Sequence, residues 1–391
     1  MENDSSQYPN GQLERVNKYL AAMIEHKGSD LHVKAGSNFR ARIQGNVTPM
    51  GDQILTRDES LGFARDLLGE AKFQQFLETK EMDWMYSPTK TSRFRVNLFF
   101  QLNGVSAVFR VIPTDIPSFD DYQLPEVLRT FTQKERGLVL VTGVTGSGKS
   151  TTLASLINEV NEKRKKHIIT IEDPVEFVHQ DKQCIINQRS LGNDTLSFSN
   201  ALKAALREDP DIILVGEMRD VETVNLALHA ADTGHLVFST LHTIDAKETI
   251  NRIIGQFPAN EQPRVRLSLA STIQGIVSQR LVKTVDGGRK AAMEILVKTA
   301  RIEQLIMENR DYEIIDTIQE GKSQYGSQSF DQCLFDYYQE GYISKEEALS
   351  GATNPNDMKL KMGGIGGSGG SPTMTSSARI DTEDDDVFDL K

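Results

Sequence analysis

The segment Gly143-Val-Thr-Gly-Ser-Gly148-Lys149-Ser150 constrains this chain more than any other feature. It fits the pattern G-x-x-x-x-G-K-[ST] at every defined position. Glycines let successive backbone N–H groups turn inward around a phosphate chain, and the helix that follows points its positive end at the same place. The apolar run GLVLVT precedes the loop and the amphipathic STTLASLINEV follows it, which is the strand–loop–helix context the motif requires. The chain is therefore expected to fold as an α/β protein and to bind ATP with Mg²⁺. Gly143, Thr145, Gly146, Ser147, Gly148 and Thr151 belong to the phosphate cradle. Lys149 is expected at the β- and γ-phosphates, and the Ser150 hydroxyl at Mg²⁺.

A phosphate loop needs carboxylates opposite it, and two further apolar strands end in them. IITIEDPVEF runs out at Glu172-Asp173, with Glu176 beyond, and PDIILVGEMRD ends at Glu217. In an open α/β sheet such strand ends face the ligand crevice. One carboxylate is expected to orient the attacking water and the other to hold Mg²⁺ through a water; either assignment suits the sequence. Many phosphate-loop enzymes carry a metal-binding Asp where this chain has Gly216, followed directly by Glu217. TGHLVFSTLHT places His242 just past the strand Leu236–Thr240, within reach of a γ-phosphate. His235 lies seven residues earlier with no third ligand nearby, so the pair is not expected to bind a metal.

Strands and helices alternate through this half of the chain. Leu138–Thr142, Ile168–Ile171, Ile212–Val215 and Leu236–Thr240 are short apolar runs suited to buried parallel strands. Amphipathic segments such as SFSNALKAALRED separate them, which argues for a doubly wound α/β domain. Beyond about Thr299 the pattern is helical only, so the domain is expected to span 126–361. Ahead of it, Leu13, Val16, Leu20 and Met23 sit at helical spacing. RFRVNLFFQLNGVSAVFRVIP alternates as a hairpin about the turn signal Asn103-Gly104. Residues 12–112 are expected to form a small α+β domain, with 113–125 as a proline-bearing linker. Residues 1–11 and the Gly/Ser-rich, acidic 362–391 are expected to stay disordered.

Composition excludes some classes. No apolar run approaches the roughly 18 residues needed to cross a bilayer, and the first dozen residues lack the regions of a secretory signal. Two distant cysteines, Cys184 and Cys333, suggest neither disulfides nor a metal cluster. The net charge of −11 disfavours nucleic acid as a partner. A cytosolic protein is expected.

The blocks GVTGSGKSTT, ITIEDPVEF, ALREDPDIILVGEMRD and TGHLVFSTLHT occur in that order. They resemble the Walker A, Asp box, Walker B and His box of the type II/IV secretion ATPase superfamily. GSDLHVKAG and FPANEQPRVRLSLASTIQGIVSQRL are similar to its retraction branch, the PilT-type twitching-motility ATPases, and the likeness runs from about residue 12 to 361. Extension ATPases of the superfamily carry a further N-terminal domain and a four-cysteine zinc motif, neither of which fits this chain. The stretch SFDQCLFDYYQEGYISKEEAL looks closer to the PilU-type paralogues. The retraction helix that reads close to AIRNLIRE aligns with ARIEQLIMEN, where Glu303 and Met307 replace its arginines.

The resemblance implies a homohexameric motor that hydrolyses ATP to disassemble type IV pili, with a RecA-like P-loop ATPase domain preceded by a PAS-like α+β domain. It implies an inner-membrane pilus platform protein as partner, a paralogous retraction ATPase as a further one, and a cytoplasmic place at the inner membrane. Arg95 in RFRVN and Arg110 in FRVIP match the N-terminal-domain arginines that close over the phosphates, and Arg207 in ALREDPD is a further source of positive charge. Such an arginine contributes about 10³–10⁵-fold to phosphoryl transfer. An extension ATPase and an accessory subunit of another motor's ring are the alternatives.

Overall fold

The computed structural model describes residue 9 and residues 11–89, 92–112, 116 and 118–363. The disorder expected of 1–11 and 362–391 lies mostly outside these residues, but Met362, within the second span, ends the last helix.

Alternation of apolar and polar residues builds the first sheet. Its strands are β1 (Asp30–Lys34), β2 (Asn38–Ile43), β3 (Asn46–Ile54), β4 (Glu81–Tyr86), β5 (Arg93–Gln101) and β6 (Gly104–Ile112). They lie in the order β3-β2-β1-β6-β5-β4, every pairing antiparallel. Phe94, Val96, Leu98, Val105, Ala107 and Phe109 point into one core with Val16, Leu20 and Met23 of helix α1 (Gln12–Glu25). Helix α2 (Arg57–Thr79) opens with a reciprocal capping box between Thr56 and Glu59 and breaks at Gly69, whose φ is 71°. This is the PAS-like α+β unit expected ahead of the ATPase domain. The hairpin turn falls one residue earlier than Asn103-Gly104 suggested. Gln101 pairs with Gly104, leaving Leu102 and Asn103 at the tip. Gly104 is required by packing as well as by its φ of 128°, because a Cβ there would lie 2.8 Å from Ser60 Oγ on α2.

The second sheet is the RecA-like one. Its strands are β7 (Gly137–Thr142), β8 (His167–Glu172), β9 (Ile185–Ser190), β10 (Ile212–Val215), β11 (Leu236–Leu241), β12 (Ile273–Lys283) and β13 (Arg289–Val297), in the order β13-β12-β7-β11-β10-β8-β9. All neighbours run parallel except β13, which closes one edge antiparallel to β12. The four strands expected from their apolar runs are fully buried along β7, β10 and β11 and nearly so along β8. β9, β12 and β13 carry polar residues among the apolar ones and gave no such signal. Helices α3 (Val127–Thr132), α4 (Lys149–Lys163), α5 (Phe198–Ala205), α6 (Val221–Asp232), α7 (Ala246–Gly255), α8 (Gln262–Thr272) and α9 (Ala300–Met307) pack around this sheet, and only helices follow to Met362. On α9, Ile302, Leu305 and Ile306 are buried, whereas Glu303 pairs outward with Lys298 and Met307 is exposed.

Part of the segment expected to be linker belongs to this core. Phe119 and Leu124 are buried against β7 and α4, and the Arg129 guanidinium lies 4.0 Å from the Phe119 ring centroid. Both cysteines are free and buried.

Glu294 on β13 is 3% exposed, and its Oε1 accepts from the N–H of Ala246, the first residue of α7, at 2.8 Å. Burial pushes this carboxyl up to about 7, against the lowering effect of that hydrogen bond. A raised acid contributes stability that is fully present below its unfolded pKa and lost as pH rises through the folded one. Glu294→Gln keeps the acceptor without the charge. Its Tm relative to the parent chain is expected to rise as pH goes from 5 to 8, read by calorimetry at each pH.

Candidate active site

Hydrogen bonds between parallel strands bring the chemical groups to one end of the second sheet. Val215 of β10 is in register with Ile171 of β8 and Ser239 of β11, and Leu241 of β11 with Thr142 of β7. Chain segments leaving these strands therefore meet over one cavity of about 600 Å³. Its walls include Lys149, Ser150, Glu172, Glu217 and His242, together with Thr145, Gly146, Gly148 and Thr151 of the loop.

The loop is held from below. Gly143, with φ 144°, has Gln279 O and Ser147 Oγ where a Cβ would lie, at 2.4 and 2.5 Å. Gly146 and Gly148 also take positive φ, and Gly148 is the N-cap of α4. Gln279 Nε2, buried on β12, donates to Ser147 O at 2.7 Å, and Thr142 Oγ1 donates to Ser278 Oγ at 2.9 Å. The Ser147 hydroxyl itself is buried without a partner. Lys149 Nζ donates to Gly143 O at 2.8 Å and Val144 O at 3.1 Å, so the loop's own carbonyls hold the ammonium. Burial pushes that ammonium below its usual range, partly offset by the charges of Glu217 and Glu176.

Glu172 receives hydrogen bonds from Thr170 Oγ1 at 2.7 Å and Gln188 Nε2 at 3.3 Å. Burial nevertheless raises its carboxyl above the ordinary value. Gly216 explains why no Asp stands before Glu217: a Cβ there would press on Ile171 O and Glu172 Cα at 3.1 and 3.2 Å. Stitches from Ser239 Oγ to Val215 O and Thr240 Oγ1 to Gly216 O tie β10 to β11. Glu217 is thereby set beside His242, whose Nε2 lies 3.4 Å from Glu217 Oε1. The Ser150 hydroxyl and these carboxylates are hard oxygen donors, the set that suits Mg²⁺ shared with phosphate. His235 Nδ1 instead lies 3.0 Å from Ala230 O at the end of α6.

The three expected arginines are not in the walls of this cavity. Arg95 projects outward from β5 and lines a separate cleft against Asp173 and Pro174. Arg110 Nε is paired at 2.8 Å with Asp30 of the GSDLHVKAG block, a carboxylate 4% exposed that Arg42 also approaches. Burial acts to raise Asp30, but hydrogen bonds from Ser29 and Arg110 outweigh it and leave the carboxyl low. Arg207 is exposed in the turn after α5.

Sequence reasoning missed Asp30, Gln279, Arg219 and His179. His179 lines the cavity with its Nδ1 buried and unpartnered. Burial, with Lys182 nearby, pushes its pKa down to about 4, so it meets a ligand as a neutral imidazole. No spacing rule singles out a buried glutamine on a neighbouring strand. Its importance has a test. Gln279→Leu leaves Ser147 O without its donor, a loss of about 1–3 kcal/mol, and is expected to weaken nucleotide binding about tenfold or more with the fold intact by circular dichroism.

Comparison with known proteins supplies the family. Residues 10–340 match the family model described as Type II/IV secretion system protein. The Type IV pilus retractation ATPase PilT of Pseudomonas aeruginosa is 44% identical over 88% of this chain and 99% of its own length. The Type IV pilus ATPase PilU of the same organism is 38% identical over 94% of this chain and 97% of its own. A crystal structure of the pilus retraction motor PilT with bound ADP superposes with a TM-score of 0.82 at 42% identity, covering 88% of this chain and 98% of that one. With the loop, the carboxylates and the histidine at one sheet end, the chain belongs to the type II/IV secretion system protein family and is an ATPase of it.

Proposed function

We propose that this ATPase powers type IV pilus retraction as a ring of six copies, acting on an inner-membrane platform protein from the cytoplasmic side. One observation carries the ATPase chemistry: Lys149, Ser150, Glu172, Glu217 and His242 meet in a single cavity. The likeness to PilT over nearly its whole length supports the retraction reading.

In this reading Lys149 exchanges its loop carbonyls for β- and γ-phosphate oxygens. Glu172, whose carboxyl burial raises above its ordinary value, takes the proton of the attacking water. Glu217 stands on the cation side with Ser150, and His242 contacts the γ-phosphate end. Mg²⁺, when bound there, neutralises charge that develops on the phosphates. An adjoining cavity of about 970 Å³, which shares Gly148, Thr151, Leu281 and Arg289 with the first, takes the base and ribose. Residues 12–112 and 126–361 act as two units, and closing the first over the second brings Arg95 and Arg110 to the phosphates. Arg207, exposed on the surface, supplies positive charge across the contact with the next copy.

A second reading, an accessory motor in a ring with a paralogue, is favoured by the outward Glu303 and Met307 on α9. Deletion of the gene separates the possibilities. Retraction predicts cells that keep or accumulate pili and stop twitching; bald cells would indicate extension. An accessory role predicts a loss that extra copies of the paralogue restore. In the purified protein, Lys149→Ala and Glu217→Ala are each expected to lower turnover at least about 100-fold with the fold retained. Full turnover in Glu217→Ala would overturn the site assignment.

A further inference from the structure

Arg219 has no role in the scheme above, yet it stands at its centre. It follows Glu217 by two residues, and its Nε donates to Glu217 Oε2 at 2.8 Å. Its Nη1 lies 3.8 Å from Asp173 Oδ2. The two carboxylates leave neighbouring parallel strands, β10 and β8, so one guanidinium spans two strand ends. Asp173 has a second side. With Pro174 and residues 190–193 it forms one wall of a cleft of about 300 Å³. The opposite wall belongs to the first sheet and includes Asp83, Trp84, Met85 and Arg95. Among the described residues, Arg95 is paired there with Asp83, at 3.8 Å. Charges thus alternate from the cavity outward: Glu217, Arg219, Asp173, then across the cleft Arg95 and Asp83.

The energetics favour exchange along this row. Arg219 is 62% exposed, and exposed ion pairs are weak and easily out-competed. Glu217 is only 19% exposed and faces the cavity that takes the cation. A carboxylate turned toward a hydrated divalent cation has less to offer a guanidinium, and the cation repels that guanidinium as well. Asp173 is the acceptor already within reach. A guanidinium committed to Asp173 lowers the negative charge that Asp173 presents to Arg95.

We infer that Arg219 is a positioning residue that exchanges between Glu217 and Asp173 as the site fills and empties, and so passes the state of the site to the cleft beside the N-terminal sheet. The inference rests on the reading of Glu217 as the cation-side carboxylate.

Two readouts on the full-length chain test it, neither of them turnover. The first is equilibrium binding of a fluorescent, non-hydrolysable ATP analogue across a Mg²⁺ titration. Arg219→Ala frees Glu217, so the Mg²⁺ needed for half-maximal binding is expected to fall about threefold. Asp173→Asn removes the alternative acceptor and leaves Arg219 on Glu217, so the same value is expected to rise about threefold. The second readout uses the chain's single tryptophan, Trp84, which lies in the cleft wall. Its emission is expected to shift when the unlabelled analogue binds, and both variants are expected to lose that shift. Variants that move the Mg²⁺ requirement in one common direction, or leave it unmoved, or keep the Trp84 shift, overturn the inference. Glu217→Ala separates the two levels. An unchanged Mg²⁺ requirement in that variant overturns the reading of Glu217, whereas a change there without one at Arg219 and Asp173 overturns the exchange alone.

Discussion

Parallel pairing of β7, β11, β10 and β8 is the constraint on which the site depends. The phosphate loop, two carboxylates and a histidine come from segments up to about a hundred residues apart in sequence. They meet because the hydrogen-bonded register brings four strand ends together. Parallel strands buried on both faces must be covered by crossover helices, which is why α4, α6 and α7 follow β7, β10 and β11 and why the chain returns repeatedly to the same sheet end. Gly216 shows how tight the arrangement is. The turn after β10 passes so near Glu172 that a side chain at 216 has little room, and the acid moves on to 217.

A second layer of support comes from β12. Gln279 grips the loop through Ser147 O, Ser278 accepts from Thr142, and the backbone of Gln279 lies where a side chain on Gly143 would go. The loop is thus pressed into shape by a neighbouring strand, and Lys149 is held by the carbonyls of Gly143 and Val144. On the other side of β12, Glu294 of β13 holds the start of α7, the helix that follows His242. Polar residues buried in this edge hairpin therefore connect the loop to the histidine segment without lining the cavity of Lys149, Glu172 and Glu217.

Much of this was legible beforehand. The loop motif and the four apolar strands depend on local pattern, and their positions agree with the structure to within a residue or so. Glu172, Glu217 and His242 were legible because each follows such a strand. Three things were not. The hairpin of β12 and β13 mixes polar with apolar residues because its buried polar groups, Gln279 Nε2 and Glu294 Oε1, meet tertiary partners that no sequence window contains. Arg219 lies in the same block as Glu217, but only the proximity of β8 gives it a second carboxylate. The arginines of the first sheet were found as residues but not as places. Asp30 fixes Arg110 on one face, and outward alternation leaves Arg95 at a different cleft, which is why the proposed contact with phosphate requires closure of the first unit over the second.

The central claim is that these strand ends form one hydrolytic site in which Glu172 activates the water. Its most direct test is to compare ATP binding and single-turnover hydrolysis in Glu172→Gln, which keeps a hydrogen-bonding group of the same size beside Thr170 and Gln188. The account predicts nucleotide affinity within about twofold of the parent chain and hydrolysis slowed at least about 100-fold, the scale of a lost general base. Hydrolysis at the parental rate with binding unchanged would contradict it.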